Sequence, residues 1–444
     1  MKRLLIPATL ALALSISSLA SSEAAVKAGT PCTKAGQSTT SGGVKFTCIK
    51  SGKKLVWNKG VRIATASSDK SSTPTPEATV QPIVDALAPC KLPVADGRGD
   101  VSIGGWPRIS ERSKVLGNVV ATVILVDFPD APATLTPSDA FAKISPASEL
   151  FSEVSYGKLN YLLQPQLKWY RMSKPSKDYV AGGWTFEKQR DYILEAAKLA
   201  DGDVDFSKTD SLIILANPDA QGMGYSGPAF SAIRGNGITL DGKYISNGAT
   251  SAYDLNNWKS IWLNHEISHS FGLVDLYAAT SDNQNNPYDG FRYTGEFSYM
   301  GLSSFQSNSP SLLAFERWNL GWIADDQVQC VSAPTTTQLI TPVEKVGGVK
   351  AVIIPISTTK AVVVESRRAI GIDKAMKKSG ALVYVVDSSI QSGMGPVKVY
   401  PSNLGSDPRY LDAPRSQGES VRVEGVTITV TKSDDSGDTV EINK

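Results

Sequence analysis

The sequence predicts an α+β protein, and three observations predict it. Between about Val115 and Leu320, apolar strand-like runs alternate with stretches of helical periodicity; beyond Cys330 the pattern turns strand-like; and the chain opens with a cysteine pair around a Gly/Ser/Thr-rich segment. A length of 444 residues accommodates two or three domains, and 41% hydrophobic with 20% charged residues is ordinary for a globular chain. The net charge of +2, with no long Lys/Arg run and no interleaved aromatic-basic stripe, argues against nucleic acid as a partner.

Met1-Lys2-Arg3 precedes an apolar stretch from Leu4 to about Leu19 and small residues at Ser22-Glu23-Ala24, the pattern of a secretory signal over residues 1–24. Pro7 and several serines break that stretch, which falls short of the about 20 apolar residues a span requires. The mature chain is therefore expected to carry no transmembrane span and to be secreted or held at the cell surface. Export makes the four cysteines readable as disulfides. Cys32 and Cys48 flank a short loop whose closure contributes about 3 kcal/mol in the chain-entropy model, which leaves Cys90 to pair with Cys330. A competing reading makes Cys90, within Pro89-Cys90-Lys91-Leu92-Pro93, a thiolate metal ligand. Residues 25–60 then form a small Cys-pair module with Lys-rich strands carrying Trp57, expected to bind a cell wall or surface or to act as a spacer. Residues 61–95, rich in Ser, Thr and Pro, read as a linker.

The main body is expected over residues 96–330. Val119 to Val126 is an apolar run suited to a buried strand, ending in the turn Asp127-Phe128-Pro129-Asp130. Helical patterns follow at Pro137 to Val154 and Thr185 to Ala200, a second buried strand at Ser211 to Ala216, and a further helix at Ser309 to Trp318. The strand and turn region Ile238 to Gly248 is the expected edge of a cleft. Residues 331–444 form a β-rich domain with strands at Ala351 to Ile356, Ala361 to Glu365, Ala381 to Val386 and Val421 to Thr431.

The chain's two histidines stand four apart in Asn264-His265-Glu266-Ile267-Ser268-His269. The preceding Trp258-Lys259-Ser260-Ile261-Trp262-Leu263 is apolar at helical spacing, and a helix puts residues i and i+4 on one face, so both imidazoles reach one ion. This is the spacing of a zinc-peptidase motif, in which the Glu after the first ligand serves as general base. Catalytic zinc takes three protein ligands and keeps one open position, so a third ligand is needed and no histidine remains. Gly272 suits a left-handed helix end that turns the chain back and brings Asp275 near the ion; Glu296 is the competitor. Glu266 is expected to move the proton between zinc-activated water and the leaving amine. A donor for the developing oxyanion is sought among Tyr277, Tyr288 and Tyr299, between which the sequence does not choose.

With these residues in view, His265-Glu266-x-x-His269-x-x-Gly272-x-x-Asp275-Leu276-Tyr277 resembles the extended zinc motif of the immune-inhibitor-A-like secreted metallopeptidases. Phe297-Ser298-Tyr299-Met300-Gly301 resembles that family's methionine turn. Pro310 to Ile323, with its Leu320-Gly321-Trp322, and Phe151 to Leu159, with its Ser155-Tyr156-Gly157-Lys158, resemble its flanking segments. The resemblance spans roughly Val115 to the C-terminus. It implies a zincin-like metallopeptidase domain with Zn²⁺ as cofactor, Met300 as an apolar floor beneath the metal, and protein or peptide substrates. It also implies Ca²⁺ as a further ion, although the acidic-amide stretches Asp282 to Asp289 and Asp434 to Asp438 match no defined calcium loop and read as solvated turns. The alternative function is a catalytically weak or inactive cell-surface binding protein on the same fold.

Overall fold

The computed structural model describes residues 26–41, 44–62, 86–93, 105–233, 235–282, 284–302, 310–400 and 407–444. The signal over residues 1–24 and most of the linker lie outside the described residues. The chain divides into two compact units, Met1–Pro82 and Ile83–Lys444. Among the described residues no helix is long and apolar enough to cross a membrane.

The amino-terminal unit is a small antiparallel sheet of β1 (Ser38–Ser41), β2 (Val44–Ser51), β3 (Lys54–Trp57) and β4 (Val61–Arg62), in which β2 pairs with the other three. Its core is Phe46, Cys48 and Trp57, and Cys48 is bonded to Cys32 as the loop size predicts.

The second unit begins with a five-stranded sheet. Its strands are β5 (Gly117–Asp127), β6 (Leu159–Arg171), β7 (Ser211–Ala216), β8 (Ala229–Ser231) and, beyond the hairpin of β9 (Ile238–Leu240) and β10 (Lys243–Ile245), β11 (Asn247–Thr250). The order is β6-β5-β7-β11-β8, parallel except that the edge strand β8 runs antiparallel to β11. Alternation along β5 sends Val119, Ala121, Val123 and Leu125 to one face and Ile124 and Val126 to the other, and each face meets its own core. The helical pattern at Pro137 to Val154 resolves into α1 (Pro137–Ala142) and α2 (Ala147–Val154), because Pro146 stands at the start of the second. Below the sheet lie α3 (Ser176–Tyr179) and α4 (Phe186–Ala200), the latter capped by the Thr185 side chain on the Lys188 amide.

A short α5 (Leu255–Trp258) leads into α6 (Ser260–Phe271), which carries the histidine motif; the two are separated at Lys259, whose φ of 50° breaks the helix expected to run through it. Helix α7 (Ala314–Asn319) is shorter than the pattern from Ser309 predicts, and residues 303–309 lie outside the described residues.

Two further sheets follow. One has the order β12-β14-β15-β16-β17, from Val328–Cys330, Ala351–Pro355, Lys360–Arg367, Gly380–Asp387 and Val397–Val399; the other has β13-β20-β19-β18, from Thr335–Ile340, Gly437–Asn443, Val426–Asp434 and Ser420–Val423. The single strand expected at Val421 to Thr431 is thus a hairpin, turned at Glu424-Gly425, where both residues have positive φ. Alternate residues of β14 to β16 serve two cores. Val352, Ile354, Val362 and Val364 pack with Ile428, Val430 and Ile442, whereas Ile353, Val363, Leu382 and Tyr384 join the core that contains Leu263, Ile267 and Phe271 of α6. The boundary expected at residue 330 therefore falls inside one compact body. Cys90–Cys330 is bonded, so Cys90 is no free thiolate, and the bridge closes a sequence separation of 240 residues.

Candidate metal centre

Helix α6 is held by an apolar stripe at i, i+4 and i+8, Leu263, Ile267 and Phe271, all fully buried, with each such side chain contributing about 1.5–3 kcal/mol. Its polar residues are also fastened: the Trp262 indole donates to the Gly227 carbonyl at 3.0 Å and the Asn264 amide to the Ala147 carbonyl at 2.9 Å. The helix ends at Gly272, φ 105°, where the Leu273 amide donates to the Ser268 carbonyl and the Gly272 amide to the His269 carbonyl, each at 3.0 Å. This paired closure requires the left-handed conformation that glycine adopts without strain. Two arginines cap the freed carbonyls, Arg108 on Phe271 and Arg112 on His269, where cations also complement the helix dipole.

The turn at Gly272 builds the site. It brings the Leu273 carbonyl to His269 Nδ1 at 3.0 Å, while the Tyr299 carbonyl lies 2.8 Å from His265 Nδ1. A carbonyl only accepts, so each Nδ1 carries a proton, and Nε2 is the nitrogen that meets Asp275 and that a metal ion would take once its own proton is lost. Both Nε2 atoms face one oxygen, Asp275 Oδ1, at 3.1 Å from His265 and 3.4 Å from His269. Ligand atoms of the three residues all lie within 4.8 Å of one another, and among the described residues this is the one group of three or more such side chains so placed. Two imidazoles and a carboxylate converging on one point, each imidazole oriented by a backbone acceptor, form a candidate metal site with an outer shell.

Asp275 is itself held from a distance. Ser392 Oγ accepts from the Asp275 amide at 3.0 Å and donates to Asp275 Oδ2 at 3.0 Å. The Gly393 amide donates to the Asp275 carbonyl and the Ala279 amide to the Gly393 carbonyl, both at 2.9 Å. Gly393 has φ 68°, and a Cβ there would meet the Ala279 Cβ at 2.5 Å, so glycine is required for this close approach.

The electrostatics follow from the convergence. Burial pushes the His269 imidazole down, but Asp275, by charge and hydrogen bond, outweighs burial and brings it up to about 9. Burial likewise opposes ionisation of Asp275, yet the two histidines hold its carboxyl well below the usual range. Glu266, on the adjoining helix position, is pushed up by burial against the pull of the histidines. Its Oε2 accepts from the Ala229 amide of β8 at 2.8 Å, which anchors the carboxylate to the edge strand.

Glu266 and the three candidate ligands line a cleft of about 530 Å³, bordered by Pro228, Ala229 and Ser231 on one side and by Trp184 and Phe186 on another. The edge strand at the cleft is therefore β8; the region expected there, Ile238 to Gly248, instead forms the β9–β10 hairpin and β11. Of the three tyrosines, Tyr277 alone lines the cleft. Its ring stacks on His265 with centroids 6.2 Å apart, and burial together with the Asp275 and Glu266 charges pushes its phenol up, so it remains a donor. Tyr299 is fully buried, its hydroxyl bonded to Ser268 at 2.9 Å, and acts through its carbonyl on His265 rather than as a donor in the cleft. Tyr288 is 44% exposed and lies outside the cleft lining.

Met300 is fully buried in the core shared with α6, and its carbonyl accepts from the Leu276 amide at 2.8 Å. Glu296 stands apart from the cluster, buried against Arg409 at 3.3 Å. The acidic-amide stretches carry their own cations: Asp289 pairs with Arg292 and Asp434 with Lys432 nearby in sequence, and Asp438 with Arg368 across the fold. Four contributors carry no signal in the sequence: Arg108, Arg112 and the Tyr299 carbonyl are brought to α6, and Ser392 to Asp275, by tertiary structure alone. Neither protein-family models nor the curated proteins yield a match to this chain.

Proposed function

We propose that this chain is a secreted zinc-dependent endopeptidase of the immune-inhibitor-A-like, zincin-type kind that its motif resembles. One observation carries the reading: both histidines give their Nδ1 protons to backbone carbonyls and aim Nε2 at Asp275, with a carboxylate at the intervening position 266 facing the same cleft. His265, His269 and Asp275 would hold the ion, and zinc bound there supplies Lewis acidity towards water and towards the scissile carbonyl.

The remaining work falls to the chain's own residues. Glu266 takes the proton from the attacking water and returns it to the leaving amine nitrogen, with its other oxygen fixed by the Ala229 amide. Tyr277 keeps its proton and donates to the oxygen on which charge develops. The edge strand β8 borders the cleft, which suits an extended polypeptide added alongside it. Two disulfides fit an oxidising, extracellular setting.

The test compares casein cleavage and zinc content of the purified chain with those of Glu266→Ala. Zinc in both and cleavage by the wild type alone is the expected result, with activity in the variant reduced by about 10²-fold or more. A Glu266→Ala protein that cuts as well as the wild type would remove the general base from this account. A wild type that binds zinc and cuts nothing supports the alternative, a surface binding protein on the same fold.

A further inference from the structure

Residues 26–62 contain seven lysines and one arginine and neither aspartate nor glutamate. Of the chain's 45 Lys/Arg and 43 Asp/Glu, ten and one fall in residues 1–62, leaving 35 cations against 42 anions from residue 63 onward. The near-neutral total thus conceals +8 in residues 26–62 and −7 from residue 63 onward, with +1 in residues 1–25.

All seven lysines of the unit are exposed. Lys50, Lys53 and Lys54 crowd the tip of the β2–β3 hairpin, where Ser51 faces Lys54, while Lys45 stands near the other end of β2. Crowded like charges lower the stability of a fold, and among the described residues this one has three buried core side chains, with Val26, Cys32, Val44 and Leu55 partly buried against them, and a single disulfide. No acid within residues 26–62 offsets the repulsion, so a partner of opposite charge is what the arrangement suits.

We propose that the amino-terminal unit docks a flexible, linear phosphate polymer of a cell surface, a poly(alkyl phosphate) chain. Four features select it. Lysine is a mobile point charge that meets successive phosphates without the fixed bidentate geometry by which arginine pairs with carboxylate and phosphate. The unit's two aromatic residues, Phe46 and Trp57, are 8% and 9% exposed and provide no platform for nucleobases. Among the described residues of the unit, Ile49 is the one large apolar side chain that is strongly exposed, too little to insert into a bilayer. Lys50, Lys53 and Lys54 lie together at one hairpin turn, where successive phosphates of a flexible chain can meet them one by one. The inference is independent of the metal centre.

The experiment measures fluorescence anisotropy of labelled poly(glycerol phosphate) with the full chain over a range of salt, beside Lys50→Gln/Lys53→Gln/Lys54→Gln and the corresponding triple arginine variant. The wild type should bind at about 50 mM salt, and the glutamine variant should lose about ten-fold or more, with a log Kd against log salt slope shallower by up to about three. The arginine variant should retain binding. Mass mapping of Cys32–Cys48 verifies the fold, and Lys45→Gln/Lys59→Gln provides a second test away from the hairpin tip. Absence of binding, or unchanged binding by the glutamine variants, overturns the proposal. Tighter binding to duplex DNA or to phosphatidylglycerol vesicles than to the polymer also overturns it, and reassigns the surface to nucleic acid or to a bilayer.

Discussion

Replacing Ser392 by alanine tests whether a loop 117 residues downstream of Asp275 sets the affinity of the metal centre. The change removes two hydrogen bonds, one accepted from the Asp275 amide and one donated to its carboxylate, each 3.0 Å long. A hydrogen bond to a charged group contributes about 1.5–3 kcal/mol and a neutral one about 1 kcal/mol. Asp275 keeps 24% of its side chain exposed, so water recovers part of both. Loss of an outer-shell partner typically weakens a metal site by about 10–100-fold, or about 1.4–2.8 kcal/mol, which agrees with the discounted sum. Zinc affinity is read by competition with a chromophoric chelator, with circular dichroism confirming the fold. Ser392→Thr retains the hydroxyl and should restore most of the affinity. If Ser392→Ala binds zinc within about two-fold of the wild type, the reasoning from the outer shell is wrong. If the wild type itself takes up no zinc, the metal reading fails before Ser392 enters.

Two further outcomes are expected. Arg367 is fully buried and pairs with Glu365 at 2.6 Å and Asp373 at 3.0 Å. Arg367→Met leaves both carboxylates without that partner, and urea unfolding should show a loss of about 3–5 kcal/mol; a loss under about 1 kcal/mol would show that the network is compensated. Asp254, whose Oδ2 accepts from the Gly227 amide at 2.9 Å, is pushed up to about 6 by burial, with the Glu266 charge adding to it. The folded state therefore holds this proton more tightly than the unfolded chain does. The group's contribution to stability is most favourable below about pH 4, falls as pH rises to about 6, and stays reduced above that, by about 2–4 kcal/mol. Asp254→Asn keeps the acceptor and removes the charge, so its stability relative to wild type should rise across that window; a parallel pH dependence in the two proteins would contradict the assignment.

The parts of the fold legible in the sequence are those whose determinants are local. Val119 to Val126 and Ser211 to Ala216 read as strands because both faces of a mostly parallel strand are buried and the run is apolar throughout. The histidine pair reads as one face of a helix, and Gly272 as its end, because both depend on spacings of a few residues. By contrast, β6 spans 13 residues yet escapes the pattern, since its Gln, Lys and Pro165 interrupt the alternation. A sheet edge tolerates them, and β6 is that edge. The support of His265 comes from a backbone carbonyl, which has no letter in the sequence, and Ser392 is one serine among many until the fold brings it to Asp275.

The placement of Ser392 also bears on how the chain is divided. A reading by composition separates a helical and strand-rich body from a β-rich tail at residue 330. Yet β14, β15 and β16 send one set of side chains into the core beneath α6, and the loop between β16 and β17 supplies both the hydroxyl on Asp275 and the Gly393 backbone contacts with Asp275 and Ala279. A tail that merely decorated the body would leave the candidate third ligand to be oriented by its own turn. Here that turn is short, irregular and partly exposed, and at Asp275 itself it is held by a strand-bordered loop that closes on it from the far side of the sequence. The two histidines are set by helix geometry, which six consecutive residues encode. The third candidate ligand is set by tertiary structure, so the site's accuracy depends on residues beyond 330 as much as on the motif itself.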